Sequence, residues 1–218
     1  MVILSRSFLE RNAALGLAVA LTGAAVYFFS GSFTTVRFDR ERIEVEVEHS
    51  TIRVVGHYRY VNESALPAVL RLRVPFPIDP EHPQPTAVIL SEAAEDGRML
   101  RIVSPSVRGE DVTCRLVFMP GEAKWLRLSY LQSTRVSAGR YILTTTRAWR
   151  YPMKQADYTL NLPPGFSLVS SSYALTTLTA DRWKTYGFSR ADFYPEHDWE
   201  FAWEEPRLRA ARGDRGRR

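Results

Sequence analysis

Cysteine is almost absent from this chain, since Cys114 is the only one among 218 residues. A single cysteine excludes an intrachain disulfide and the paired-cysteine spacing of zinc modules. Cys114 alternates with Val112, Leu116 and Phe118, which predicts a buried, unreactive thiol. Glycine-rich phosphate loops and a Gly-x-Ser-x-Gly elbow are also missing, so no motif indicates nucleotide chemistry or a serine hydrolase of that type.

Charged side chains are missing from residues 12–36. About 20 consecutive apolar residues, each rising 1.5 Å along a helix, match the hydrocarbon thickness of a bilayer. The apolar core of a secretory signal is shorter, and the nearest cleavage candidate, Ser30-Gly31-Ser32, matches the small-residue pattern poorly. We therefore expect a short arm over residues 1–11 and an uncleaved transmembrane signal-anchor helix over residues 12–36. A cleaved signal peptide and a buried helix of a soluble fold are the alternatives.

The orientation of this span is not fixed by the flanking charges. Arg6 and Arg11 precede it, whereas Arg37, Arg40 and Arg42 follow it, so the count slightly favours a cytoplasmic domain. A long domain after a first span is nevertheless exported largely regardless of charge. We expect a cytoplasmic N-terminus and a periplasmic or extracellular domain, with the inverted topology as the alternative.

Lysine is scarce, with three among the 29 basic residues, and the net charge of +5 is concentrated at one end. The last segment, RLRAARGDRGRR, alone carries that excess, so the remainder of the chain is neutral. Such a composition cannot bury enough apolar surface to fold, which predicts a disordered Arg-rich tail over residues 206–218. An anionic lipid or an acidic partner would suit this tail. Nucleic acid is not an expected partner, because the domain is placed outside the cytoplasm.

Between the two ends, apolar and polar residues alternate with the period of a β-strand. The turn signals Asp96-Gly97, Pro120-Gly121 and Pro163-Pro164-Gly165 separate the runs. This pattern predicts an all-β domain over residues 37–205, an antiparallel β-sandwich of about ten strands that begins with a hairpin. The predicted strands lie at 43–47, 52–60, 70–74, 87–90, 99–103, 112–118, 126–130, 141–146, 158–162 and 199–203.

Four stretches of this region resemble the VIT domain, the vault and inter-α-trypsin-inhibitor type. They are YRYVNES, LRLRVPFPID, FMPGEAKWLRLSY and GRYILTTTRAW, within residues 43–150. In that family an Asn turn precedes an apolar strand that ends on Phe and Pro, and a Pro-Gly-Glu hairpin follows. The resemblance implies a β-sandwich used for interaction and implies no reaction.

Two Pro-Glu-His turns are the candidates for a metal site. They contain His82, in DPEHP, and Glu196, His197 and Asp198, in YPEHDWE. If the fold brought the turns together, imidazoles and carboxylates could bind a divalent ion such as zinc. These residues are also ordinary in loops, so no catalytic residue, no cofactor and no firm metal site is predicted.

Aromatic residues are frequent and allow two interpretations: stacking in a ligand groove or packing in a sandwich core. Core packing is favoured, with WEFAW as a final strand whose rings point inward while Glu200 and Glu204 face water. The residues concerned are Trp125, Trp149, Tyr151, Trp183, Tyr194, Trp199 and Trp203.

Together these patterns predict a single-pass, membrane-anchored β-sandwich that binds or scaffolds other components of the cell envelope without catalysis. Its partners would be membrane lipid, through residues 12–36, and an envelope protein. The alternative is a membrane-anchored hydrolase or metal-dependent enzyme whose site is built from the His and carboxylate turns.

Overall fold

A computed structural model describes residues 35–103, 106–108, 111–180 and 183–206. The described chain is all-β, with one short 3-10 helix at Thr144–Ala148. Its strands are β1 Val36–Glu48, β2 Thr51–Asn62, β3 Ala68–Pro75, β4 Thr86–Ala93, β5 Met99–Ile102, β6 Ser106–Arg108, β7 Asp111–Phe118, β8 Ala123–Ser133, β9 Ala138–Tyr141, β10 Met153–Leu162, β11 Ser167–Ser171, β12 Thr176–Ala180, β13 Lys184–Phe193 and β14 Trp199–Glu204.

These strands form one large sheet and two small ones. The large sheet has the order β12-β13-β10-β1-β2-β8-β4-β5, and the small sheets are β11-β14-β9 and β3-β7-β6. All pairs are antiparallel except β1 with β10, which are parallel. The expectation of a purely antiparallel domain is therefore wrong at the centre of the large sheet.

The opening hairpin follows from the alternation in β1. Ile43, Val45 and Val47 are fully buried, while the glutamates between them lie on the other face. The turn at His49 and Ser50 then brings β2 back in register, and His49 adopts a positive φ of 51°. The predicted hairpin is confirmed.

One hydrophobic core joins all three sheets. In its aromatic part, Trp199 of β14 lies 5.7 Å from the ring centre of Tyr158 and 5.6 Å from that of Phe188. These two rings belong to β10 and β13, so the β11-β14-β9 sheet packs against the large sheet in a sandwich-like arrangement. The inward rings and outward glutamates predicted for WEFAW are confirmed.

Other predictions need correction. The described strands number fourteen rather than about ten, because β6, β11, β12 and β13 were not counted. The strand predicted at 141–146 ends at Tyr141 and gives way to the 3-10 helix. Val36, placed at the end of the predicted span, is the first residue of β1.

Residues 12–34 of the predicted 12–36 span, the predicted arm over residues 1–11 and residues 207–218 of the predicted tail lie outside the described residues. In the part of the chain that is described, no helix is long and apolar enough to cross a membrane.

Candidate functional site

The 79–82 turn is held in place by the carboxylate of Asp79. Its Oδ1 accepts hydrogen bonds from the backbone N–H of Glu81 (2.9 Å) and of His82 (2.8 Å), as in an Asx-turn. The Gln132 side chain donates to the carbonyls of Pro77 and Pro83 on either side. Protein hydrogen bonds therefore fix this turn to β8 of the large sheet.

His82 is buried, and both of its ring nitrogens are engaged. Nδ1 lies 2.8 Å from Asp79 Oδ1, and Nε2 lies 3.2 Å from the carbonyl oxygen of Ala138. Burial acts to raise the pKa of Asp79, but hydrogen bonds from the His82 ring and from the His82 and Glu81 amides hold it below its usual value. The imidazole thus serves to attach the turn to β9.

An open groove of about 540 Å³ runs between this turn and the outer face of the β11-β14-β9 sheet. Its volume lies within the range of small-molecule sites, about 300–1,000 Å³. The small side chains of Ala138, Ala202 and Ser170 leave room for a ligand over the strands. The remaining lining residues are Asp79, Glu81, His82, Gly139, Arg140, Ser171, Ser172, Glu200 and Phe201.

The charges that line this groove are unevenly paired. Arg140 Nη2 lies 3.3 Å from Asp79 Oδ2, so that carboxylate is neutralised. Among the described residues, the exposed carboxylates of Glu81 and Glu200 have no ion-pair or hydrogen-bond partner. The Arg140 Nε–H is buried and likewise finds no acceptor there. The groove therefore offers two free acceptor groups, whereas the buried Arg140 Nε–H is not accessible from it.

The second Pro-Glu-His turn has a different role. Asp198 Oδ1 accepts hydrogen bonds from the N–H of Leu143 and of Thr144, both at 3.0 Å, and from the Thr144 hydroxyl at 2.8 Å. It thereby caps the start of the 3-10 helix, whose N-cap residue, Leu143, provides no side-chain cap. His197 is exposed, and its ring lies 4.4 Å from that of Tyr173.

The four metal candidates are thus not brought into one site. His82 lines the groove, whereas Glu196, His197 and Asp198 are not among its lining residues. Among the described residues there is no group of three or more His, Cys, Asp or Glu side chains that could hold a metal ion. The structure instead places His82 in the same groove as Glu200.

Asp198→Ala is expected to lower the free energy of unfolding by about 1–2 kcal/mol, the usual cost of losing a helix cap. Three donors at residues 143 and 144 lose their acceptor in this variant. Glu196→Ala, in the same turn, is the matched control and should change stability by less than about 0.5 kcal/mol. Urea unfolding of both variants measures the difference, and equal values would contradict the capping role.

A second polar cluster lies inside the sandwich, around Glu41. Tyr158 donates to Glu41 Oε2 at 2.5 Å and Tyr141 donates to Oε1 at 3.0 Å, while the hydroxyls of Tyr58 and Tyr141 lie 2.9 Å apart. Burial raises the pKa of Glu41 to about 7, although the two tyrosine hydrogen bonds oppose the shift. The carboxyl therefore changes charge near neutral pH.

A cavity of about 60 Å³ lies beside Glu41, with Tyr60 and Trp149 in its lining. It is too small for an ordinary organic ligand, since such sites measure about 300–1,000 Å³. The sequence carried a signal for this cluster that was missed. Glu41 is two residues before Ile43 and so continues the inward-facing register of β1.

Asp39, the residue two places earlier, is also buried but is held ionised. It forms ion pairs with Arg59 and with Lys154, whose Nζ lies 3.0 Å from Oδ1. Burial acts to raise the pKa of Asp39, but the hydrogen bonds and charges of these two cations lower it below its usual value. Two carboxyls close together on β1 thus have opposite pKa shifts.

Cys114 is half-buried rather than fully buried. Burial raises the pKa of its thiol to about 11, so the thiolate is scarce at neutral pH. The predicted burial is therefore only partial, and the raised pKa agrees with the predicted unreactive thiol.

Comparison with known proteins identifies the fold but not a family. No protein-family model matches the sequence, so the resemblance to the VIT domain remains a prediction. No curated protein matches it either. A protein of Legionella pneumophila, whose suggested role is nutrient binding, superposes with a TM-score of 0.63 at 11% identity, over 78% of this chain and 67% of that chain. At this identity the likeness shows a shared fold alone.

A weaker likeness is found to an M1 zinc metallopeptidase of Deinococcus radiodurans. The TM-score is 0.46 at 14% identity, and the match covers 77% of this chain. This chain spans 42% of that protein's length.

Proposed function

We propose that this protein is a membrane-anchored, non-catalytic binding domain that holds a ligand of the cell envelope in the groove beside the 79–82 turn. The observation that carries the proposal is a ligand-sized groove in which Glu81 and Glu200 are both exposed and unpaired. The engagement of both His82 ring nitrogens favours a structural use of this imidazole over proton transfer or metal binding. The uncharged run before β1 supplies the anchor.

The chemistry of the groove selects the class of ligand. Two free carboxylates line the groove beside the Ser170 hydroxyl, and carboxylates prefer charged or hydroxyl donors. A ligand with amino and hydroxyl groups fits this pattern, as in an amino sugar or a short basic peptide. The Legionella protein with the same fold has nutrient binding as its suggested role, so the fold is compatible with binding.

The proposal predicts that the full-length chain in detergent micelles binds members of an array of amino-sugar oligosaccharides and Lys- or Arg-containing peptides. The double variant Glu81→Gln/Glu200→Gln is expected to bind the best of them at least tenfold more weakly. The reason is that each hydrogen bond to a charged group contributes about 1.5–3 kcal/mol. Titration calorimetry measures the affinities.

The matched control is Glu46→Gln/Glu95→Gln, which removes two carboxylates that do not line the groove. It should bind as the parent does. Binding that falls equally in both double variants would indicate a general charge effect. If no member of the array binds, the groove is not a site for ligands of this class.

A further inference from the structure

The end of the domain at which β1 begins is organised around Asn62. The carbonyl oxygen of Thr35 accepts a hydrogen bond from the Glu63 N–H at 3.2 Å, and the Thr35 hydroxyl donates to Asn62 Oδ1 at 3.0 Å. Asn62 Nδ2 in turn donates to the carbonyls of Leu66 (2.8 Å) and Met119 (3.0 Å). Leu66 and Met119 therefore lie next to the point where the chain enters the domain.

Apolar side chains are exposed at this end, and we call them the end patch: Leu66, Val69, Val117 and Met119. Leu66 and Met119 are 66% and 59% exposed. Val69 and Val117 lie directly opposite each other on β3 and β7, and both are exposed on the outer face of that sheet. Contiguous exposed apolar residues of this kind mark surfaces that contact something other than water.

Arginine and tyrosine side chains border the end patch. Arg37 forms an ion pair with Glu63 at 3.6 Å, and its guanidinium lies 5.3 Å from the ring centre of the exposed Tyr151. Arg150 lies 5.2 Å from the same ring. Tyrosine rings are enriched at the headgroup level of membranes, and arginine packs its apolar stem on such surfaces while its charged head stays in water.

A second pair of arginines lies one row beyond the valines. Arg71 and Arg115 are directly opposite on β3 and β7, both are exposed, and neither has an ion-pair partner among the described residues. Like charges at opposite positions destabilise a sheet. An anionic surface against this face would relieve their repulsion.

We infer that the end patch rests on the bilayer surface, in contact with anionic lipid headgroups, so that the domain has a fixed orientation on the membrane. The inference rests on the anchor of the proposed function. Phe33, the last large apolar residue of the uncharged run before the domain, lies two residues before Thr35, and two extended residues span about 7 Å. No longer tether separates the patch from the membrane, and Leu, Val and Met side chains enter the boundary between headgroups and acyl chains.

The test uses the full-length chain in nanodiscs that contain either phosphatidylcholine alone or phosphatidylcholine with 30% phosphatidylglycerol. In a Cys114→Ser background, Leu66→Cys and Met119→Cys each carry an environment-sensitive fluorophore, and quenching by lipid-borne nitroxide is measured. Val169→Cys is the matched control, since Val169 is also exposed but lies near the opposite end. Phe166, immediately before β11, has its ring centre 5.8 Å from that of His49, just after β1 ends.

Labels at 66 and 119 are expected to be quenched at least twofold more than the label at 169. Arg71→Gln/Arg115→Gln should reduce the extra quenching seen with phosphatidylglycerol. Equal quenching at all three positions would overturn the inference. It would also be overturned if the labels at 66 and 119 were shielded from aqueous iodide but not quenched by lipid, because that result indicates that protein covers the end patch. Release of the parent protein from membranes by alkaline carbonate would instead show that the anchor, and with it this part of the proposed function, is wrong.

Discussion

Replacing Glu41 with glutamine is expected to flatten the dependence of the unfolding free energy on pH between about pH 4.5 and 7. In the parent protein the folded pKa of Glu41 is about 7, compared with an ordinary value of 4.5. Between these values the folded state keeps a proton that the unfolded state has released, so stability falls as pH rises. Each pKa unit corresponds to about 1.36 kcal/mol, which gives a loss of about 3 kcal/mol by pH 7.

Glutamine at position 41 stays neutral at every pH and still accepts a hydrogen bond from Tyr158 or Tyr141. The variant should therefore match the parent near pH 4.5 and exceed it above pH 7 by up to about 3 kcal/mol. Urea unfolding followed by circular dichroism at several pH values measures both profiles.

The informative quantity is the difference between the two profiles. Asp39, Asp79 and His57 have lowered pKa values and contribute stability that is lost as pH falls. They are present in both proteins, so their effects cancel in the difference. Glu46→Gln, on the outer face of β1, is the control and should leave the profile unchanged. Parallel profiles for the parent and Glu41→Gln would show that Glu41 titrates normally.

Trp199→Ala is expected to cost about 3–5 kcal/mol of unfolding free energy, the typical loss for an aromatic residue removed from a core. Trp199 is fully buried and contacts the rings of Tyr158, Phe188 and Phe201. Its indole N–H also donates to the Ser171 hydroxyl at 3.2 Å. It therefore connects the β11-β14-β9 sheet to the large sheet.

The same substitution at Trp183, which is 38% exposed, provides the control. Trp183→Ala should change the free energy by less than about 1 kcal/mol, because a partly exposed side chain loses little burial. Far-UV circular dichroism suits both variants, since it does not depend on tryptophan fluorescence. Comparable losses in the two proteins would mean that the sheets are not held together at Trp199.

Residues of the 79–82 turn differ in what their substitution would test. His82 and Asp79 shape one wall of the groove, so replacing either disturbs the wall and the site together. Glu81 and Glu200 are exposed and unpaired among the described residues, so their amide variants test binding while leaving the turn intact.

The alternation of apolar and polar residues correctly predicted the strands that bury one face and expose the other. The β1–β2 hairpin and β14 alternate over most of their length and bury one face, so the strands predicted at 43–47, 52–60 and 199–203 lie within them. β13 is mostly exposed or half-buried along its length, and its sequence KTYGFSRADF therefore lacks the contrast on which such a prediction depends.

Other features depend on contacts between distant residues. Ile142 and Leu143 extend an apolar run beyond Tyr141, but Asp198 turns the backbone there into a 3-10 helix, and its position follows only from the fold. Glu41 continues the inward-facing register of Ile43, but the partners that make its burial possible, Tyr141 and Tyr158, lie at least 100 residues away in the sequence. The groove itself joins a turn near residue 80 with strands near residues 140 and 200, and no single stretch contains it.

The parallel pairing of β1 with β10 has a consequence for how the protein is made. Ile43 and Thr159, which meet across this pair, are 116 residues apart in the sequence. At a synthesis rate of about 5–20 residues per second, β1 waits on the order of 10 s for its second neighbour. During that interval one edge of the opening hairpin has unpaired backbone groups, which are a template for aggregation. A nascent chain of this protein is therefore most vulnerable to aggregation after the hairpin forms and before residue 162 has been made. A chaperone that covers strand edges would protect the chain during this period.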